Sequence, residues 1–183
     1  TSIGSLAFLR CSTLADADLD IEVNEEYFIF EDLVLYDADK TTIIFVAPTK
    51  TGEYVAPSTV TAVNTYAFSF CSALTSISLP SVSYVGSWTF AYCTSLETLS
   101  LPKVTEVKIP LPNSTSLSTL YLASDSGVEL VSINYLLSSS TKVPTLYTSS
   151  ANEKYIGEDN VTLTVGDYSY TFPAIYVDGV LKQ

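Results

Sequence analysis

The chain reads as an α/β, β-dominated, right-handed solenoid with a parallel concave sheet, short convex turns or helices, and a C-terminal β-hairpin cap. Three observations carry that reading. The segment VTAVNTYAFSFCSALTSISLPS (60–81) is followed directly by VSYVGSWTFAYCTSLETLSLPK (82–103), a repeat of 22 residues. A fixed period of this length marks stacked units, each of which needs neighbours to bury its apolar face. The matched columns are mostly apolar: Val60/Val82, Val63/Val85, Phe68/Phe90, Cys71/Cys93, Leu74/Leu96, Ile77/Leu99 and Leu79/Leu101. Finally, the segment ending each copy alternates as a short strand does, with Leu74, Ile77 and Leu79 turned inward.

Within one unit, Pro80 or Pro102 closes the strand, because proline removes a ladder donor and turns the chain out of the sheet. The preceding Ala-Phe-x-x-Cys stretch is expected to form a short turn or helix on the convex side, with its Phe and Cys packed inward. The combined pattern V-x-x-[VIL]-x-x-x-[AT]-F-x-x-C-x-x-L-x-x-[IL]-x-L-P resembles the leucine-rich repeats of BspA-like surface proteins, also called the treponemal type. That resemblance implies a leucine-rich-repeat solenoid.

Taken in order, Ile3–Leu14 superposes on Val85–Leu96, so the chain starts inside a repeat and without Met. Its strand is expected over Leu14–Leu19, with Ala17 and Leu19 inward, and upstream sequence or a capping segment is expected before it. Residues 27–48 then form a longer unit, similar to the hairpin-bearing repeat of the same family. Two β-rich runs, Leu33–Tyr36 and Thr42–Ala47, flank the turn-forming Asp37-Ala38-Asp39-Lys40. Leu33 stands where the family commonly has Gly, so this corner is expected to be built differently. After Lys103 the pattern decays, Pro110, Pro112 and Asn113 replacing the Ala-Phe-x-x-Cys stretch. The strand itself recurs at Thr119–Ser124 and at Thr145–Ser150. Val161–Val165 and Tyr168–Phe172 alternate around Gly166-Asp167, a hairpin signal. The expected division is a solenoid over residues 1–150, with the hairpin-bearing long repeat at about 20–59, and a β cap over 151–183 that shields the open end.

Composition excludes several functions. Charged residues make up 15% of the chain against 47% apolar, which suits a β-rich stack with hydroxylic exposed positions. A net charge of −12, with eight basic residues scattered along the chain, argues against nucleic acid, since phosphate binding needs clustered Lys and Arg. The charge speaks first to solubility. No apolar run approaches the roughly 20 residues needed to span a bilayer. Cys11, Cys71 and Cys93 share one repeat position and are better explained as a buried column than as redox chemistry.

There is no histidine, which removes the usual general base, the histidine-dependent triads and every His-containing zinc site. The cysteines lack C-x-x-C spacing and the glycines are isolated, so neither thiolate zinc nor a phosphate loop is expected. We expect no enzyme activity and no cofactor. The densest acidic run, Asp16-Ala-Asp18-Leu-Asp20-Ile-Glu22, puts its carboxylates on one strand face. A Ca²⁺ site would need them to wrap around the ion, but a strand spreads them about 6.6 Å apart at i, i+2. A solvated acidic edge is the preferred reading. Likewise Asp37 and Asp39 suit a turn. Asn113-Ser-Thr and Asn160-Val-Thr match glycosylation sequons, which matter only in a eukaryotic secretory pathway.

The exposed strand positions remain. Aligned as proposed, they form one outward row of Asp16, Ser76, Thr98 and Thr119 and a second of Asp18, Ser78, Ser100 and Tyr121. Solenoid curvature makes such rows a concave binding surface, although plain β-compatible surface would look the same. Tyr66 and Trp88 share a position beside the Ala-Phe pair and are expected on the convex side. The resemblance implies a bacterial secreted or cell-surface protein, held there by a lipid anchor on upstream sequence in one variant. It further implies adhesion to host or cell-surface macromolecules, with a protein or glycan as partner. Two other classes stay open. One is a carbohydrate-binding accessory protein of a surface nutrient-capture system, using Tyr121 and Tyr147. The other is a purely structural spacer.

Overall fold

The computed structural model describes residues 3, 7, 26–106, 116–132 and 143–182, and the chain there winds as a parallel-sheet β-solenoid of about four turns with very little helix. It opens with a meander of β1 (Phe28–Glu31), β2 (Val34–Asp37) and β3 (Thr42–Val46). The coils follow as β4 (Gly52–Val55), β5 (Ala62–Val63), β6 (Leu74–Ser78), β7 (Tyr84–Val85), β8 (Thr98–Leu101), β9 (Thr119–Leu122) and β10 (Thr145–Thr148). The C-terminal part adds β11 (Thr162–Val165), β12 (Tyr168–Thr171), β13 (Ile175–Val177) and β14 (Val180–Leu181).

Two sheets enclose the core. The larger runs β14-β13-β10-β9-β8-β6-β4, parallel from β4 through to β13 and closed by antiparallel β14. The smaller runs β1-β2-β3-β5-β7. The repeat columns lie between them: Val63, Val85, Phe68, Phe90, Leu74, Leu96, Ile77, Leu99, Leu79 and Leu101 are all buried. Leu120, Leu122 and Leu146 carry the same inward phase into the degenerate coils.

The Ala-Phe-x-x-Cys stretches are turns and not helices, for a physical reason. A helix would consume all its amides internally, whereas in the first copy every second amide ladders to the next coil, while those of Ala67, Ser69 and Cys71 close local turns on Asn64, Tyr66 and Phe68 O. Tyr66 N–H donates to Ser87 O (3.1 Å), Phe68 N–H to Thr89 O (3.0 Å) and Phe70 N–H to Ala91 O (2.8 Å). Sustaining that path puts Tyr66, Phe70, Trp88 and Tyr92 in the left-handed region at φ of 62°, 67°, 59° and 62°. Each such residue costs about 1–2 kcal/mol of backbone strain. The strain recurs at matched positions, and matched rings stack over it: Tyr66 on Trp88 at 6.4 Å and Phe70 on Tyr92 at 4.6 Å.

The hairpin expected at Asp37–Lys40 is present, β2 pairing antiparallel with β3. Asp37 fastens its turn by accepting from Thr41 N–H (2.7 Å), Thr42 N–H (2.9 Å) and the Thr41 hydroxyl (2.7 Å). Those donors hold its carboxyl below the ordinary value, against the opposing effect of burial. The Leu33 corner is a two-residue turn with Asp32 at φ 46° and Leu33 at φ 66°, the geometry that usually calls for glycine. Leu33 is kept there by packing: with Phe28, Phe30, Ile44 and Ile3 it covers a second cluster of Leu35, Phe45 and Ala47. The meander is thus apolar on both faces. Nearby, buried Lys50 donates to Asp32 O (2.9 Å) and pairs with its carboxylate (2.7 Å).

At the C-terminal end β11 and β12 form the expected hairpin, turning at Gly166 with φ 60°. Beyond it the chain returns: β13 lies parallel to β10 and extends the large sheet. A 3-10 turn, Ser150–Tyr155, carries Asn152 into the core end. Its amide donates to Ala123 O (3.1 Å), Val128 O (2.9 Å) and Thr148 Oγ1 (3.0 Å), and its carbonyl accepts from Leu130 N–H (2.7 Å). The Leu14–Leu19 strand, Cys11, Pro110, Pro112 and the Asn113 sequon lie outside the described residues.

Candidate functional site

The large sheet places its outward side chains in two rows. Glu53, Ser76, Thr98, Thr119 and Thr145 form the first, neighbours pairing in register. Val55, Ser78, Ser100, Tyr121, Tyr147 and Tyr176 form the second. The period-two alternation of a strand makes this possible, since Ile77, Leu99, Leu120 and Leu146 between the rows point into the core. Ser76, Ser78, Thr98, Ser100, Thr119 and Tyr121 therefore share one face in the expected register. Asp16 and Asp18, which would continue the rows, lie outside the described residues.

Two members of the second row go beyond the aligned set, Tyr147 and Tyr176. They stack with Tyr121 into a ladder: 4.6 Å separates the Tyr121 and Tyr147 ring centres and 4.7 Å those of Tyr147 and Tyr176, with interplanar angles of 23° and 13°. Neighbouring strands are about 4.7–4.9 Å apart, so the rings stand face to face along the solenoid axis. The Tyr147 phenol is raised above its ordinary value, by burial first and then by Tyr121 and Tyr176. Tyr176 had a signal in the sequence: Ile175-Tyr176-Val177 repeats the apolar-Tyr pattern of Leu120-Tyr121 and Leu146-Tyr147.

The four hydroxyls of Ser76, Ser78, Thr98 and Ser100 have no hydrogen-bond partner among the described residues. They are half-buried, between Glu53 and Val55 at one end and the ladder at the other. This face can donate and accept hydrogen bonds and can pack against a ring. It holds no positive charge.

No group of His, Cys, Asp and Glu suited to a metal occurs among the described residues. The Cys71 and Cys93 thiols are free and fully buried, Cys93 donating to Phe68 O at 3.2 Å. Burial raises both, Cys93 to about 12, so neither is a thiolate near neutral pH. Tyr66 and Trp88 stack away from the large sheet, on the turn side. No helix of the described residues is long and apolar enough to cross a membrane, which says nothing of β-barrel spans.

No curated protein sequence matches the chain. Among solved structures it is similar to a leucine-rich repeat protein from Eubacterium ventriosum, with 22% identity, a TM-score of 0.40 and 86% of this chain covered. The chain spans 50% of the length of that protein. The family described as "BspA type Leucine rich repeat region (6 copies)" matches residues 42–134, about half of the chain. With the repeat columns buried as that pattern requires, the chain belongs to the BspA-type leucine-rich repeat family.

Proposed function

We propose that this protein is a non-enzymatic recognition module of a bacterial surface or secreted protein, binding a host or cell-surface macromolecule through the outward face of its large sheet. Leucine-rich repeats of this type have surface and protein-interaction roles and are generally non-enzymatic. The observation that carries the reading is the second row, where Ser78, Ser100, Tyr121, Tyr147 and Tyr176 stand in register on a rigid sheet. A preformed surface of this kind loses little conformational entropy when it binds. Absence of histidine, buried thiols and the negative charge all weigh against catalysis and against nucleic acid. We also keep the division at residue 150 as our reading of the domain layout, with 151–183 closing the stack.

The test is a Ser78→Glu/Ser100→Glu double variant, assayed on immobilised matrix proteins and on intact host cells. Far-UV circular dichroism and melting should match wild type, and binding should fall at least tenfold. A folded double variant that binds as well as wild type refutes the proposed face.

A further inference from the structure

We infer that the recognition face contains a carbohydrate subsite for an uncharged sugar, built where the tyrosine ladder ends at Ser100; this rests on the outward face being the binding surface. In a stack of rings, each inner face is covered by a neighbour. Tyr147 is covered on both sides, by Tyr121 and by Tyr176. Across from Tyr176 the register brings Leu181 of β14. Across from Tyr121, on the side away from Tyr147, the register brings only Ser100, whose side chain is too short to cover a ring. Among the described residues, the ladder therefore presents one ring face as a wall, and Ser100 and Ser78 as the floor before it.

The floor defines what can sit there. Ser78 and Ser100 lie in the ladder's own row, and Ser76 and Thr98 lie beside them, their four hydroxyls without a hydrogen-bond partner among the described residues. Each hydroxyl both donates and accepts. The far boundary is Val55, 65% exposed, with Glu53 beside it. From Val55 to Tyr121 is three strand gaps, about 14 Å. An occupant must offer a flat apolar face to the Tyr121 ring and several hydroxyls to the floor at once. A pyranose does both. No Lys or Arg lies in either row, and the chain carries −12 overall, so sialylated, sulfated or uronic sugars are disfavoured. A peptide fits less well, because β6, β8 and β9 beneath the floor and the wall are each paired on both sides and offer no free edge for strand addition.

The experiment is isothermal titration of the full chain with neutral gluco-, manno- and galacto-oligosaccharides, and with sialylated and sulfated counterparts. Saturable binding of at least one neutral series is expected, with the anionic counterparts at least tenfold weaker. Tyr121→Ala should lower the affinity tenfold or more, Tyr121→Phe should keep most of it, and Tyr147→Ala should cost less than Tyr121→Ala. Should Tyr121→Ala misfold, Ser100→Tyr serves in its place. It adds a rung to the ladder where the sugar would stack, so it should fold and lose binding.

Matrix glycoprotein before and after enzymatic deglycosylation, set beside free polysaccharide, tells a protein-borne glycan from a free one. Absence of binding to every neutral series, or affinity indifferent to both Tyr121→Ala and Ser100→Tyr, overturns the subsite. The two proposals fail separately. Loss of macromolecule binding in the Ser78→Glu/Ser100→Glu variant, with no response to sugars or to deglycosylation, removes the subsite and leaves the recognition face standing.

Discussion

Phe68 and Phe90 show how much of this protein is set at the level of single side chains. Both are fully buried, their ring centres lie 5.7 Å apart, and Tyr54 continues the contact at 5.4 Å from Phe68. Truncating either ring leaves a cavity inside the stacked coils. Phe68→Ala or Phe90→Ala should therefore cost about 3–5 kcal/mol, read as a lowered midpoint in urea; an unchanged midpoint would remove Phe from the core column. These positions were legible because the chain states them twice. Asn152 and Lys50 were not. Each is buried only because its partners, Ala123 and Val128 for Asn152 and Asp32 for Lys50, arrive from elsewhere in the chain. A sequence read for hydrophobic periodicity places such residues outside.

Among elements, β6, β8, β9 and β10 stood out in the sequence by alternation alone, and their register followed from the columns. The short strands β5 and β7 did not, since two residues carry no period. β13 was harder to find, being three residues long, its one signal the apolar-Tyr pattern it shares with β9 and β10. The turn segments were legible as convex, but the choice between helix and turn was settled by amides reaching the next coil, a contact invisible within one repeat. That closeness has a sensitive point at Gly86. A Cβ there would overlap the Thr65 amide nitrogen and lie 2.7 Å from Thr65 Cα, both backbone atoms of the preceding coil. Gly86→Ala should destabilise by about 1–3 kcal/mol through overpacking. A thermal melt within error of wild type would mean that the coils separate there without strain.

At the scale of the molecule, burial of Cys71 and Cys93 makes stability depend on alkaline pH. The folded thiols are raised, Cys93 to about 12, while an unfolded thiol ionises near the ordinary value of about 8.5. Between those values the unfolded chain has released protons that the folded chain retains, so unfolding becomes easier as pH rises. The urea midpoint should be flat up to about pH 8 and fall above it, and a Cys71→Ala/Cys93→Ala variant should show a shallower fall. An identical slope in that variant would assign the alkaline loss to other groups, such as buried Tyr54, whose phenol is also raised. A solenoid couples each coil mainly to its neighbours, so the order in which its parts let go is an open physical quantity, and the aromatic stacks make it readable by light. Trp88, the chain's one tryptophan, is stacked on Tyr66 in a middle coil. The three-tyrosine ladder belongs to the last coils, and rings held so closely couple their near-ultraviolet transitions. Tryptophan emission and tyrosine dichroism thus act as two clocks on one molecule. A stack that unzips from its C-terminal end will stop the second before the first, and one that melts as a unit will stop both together.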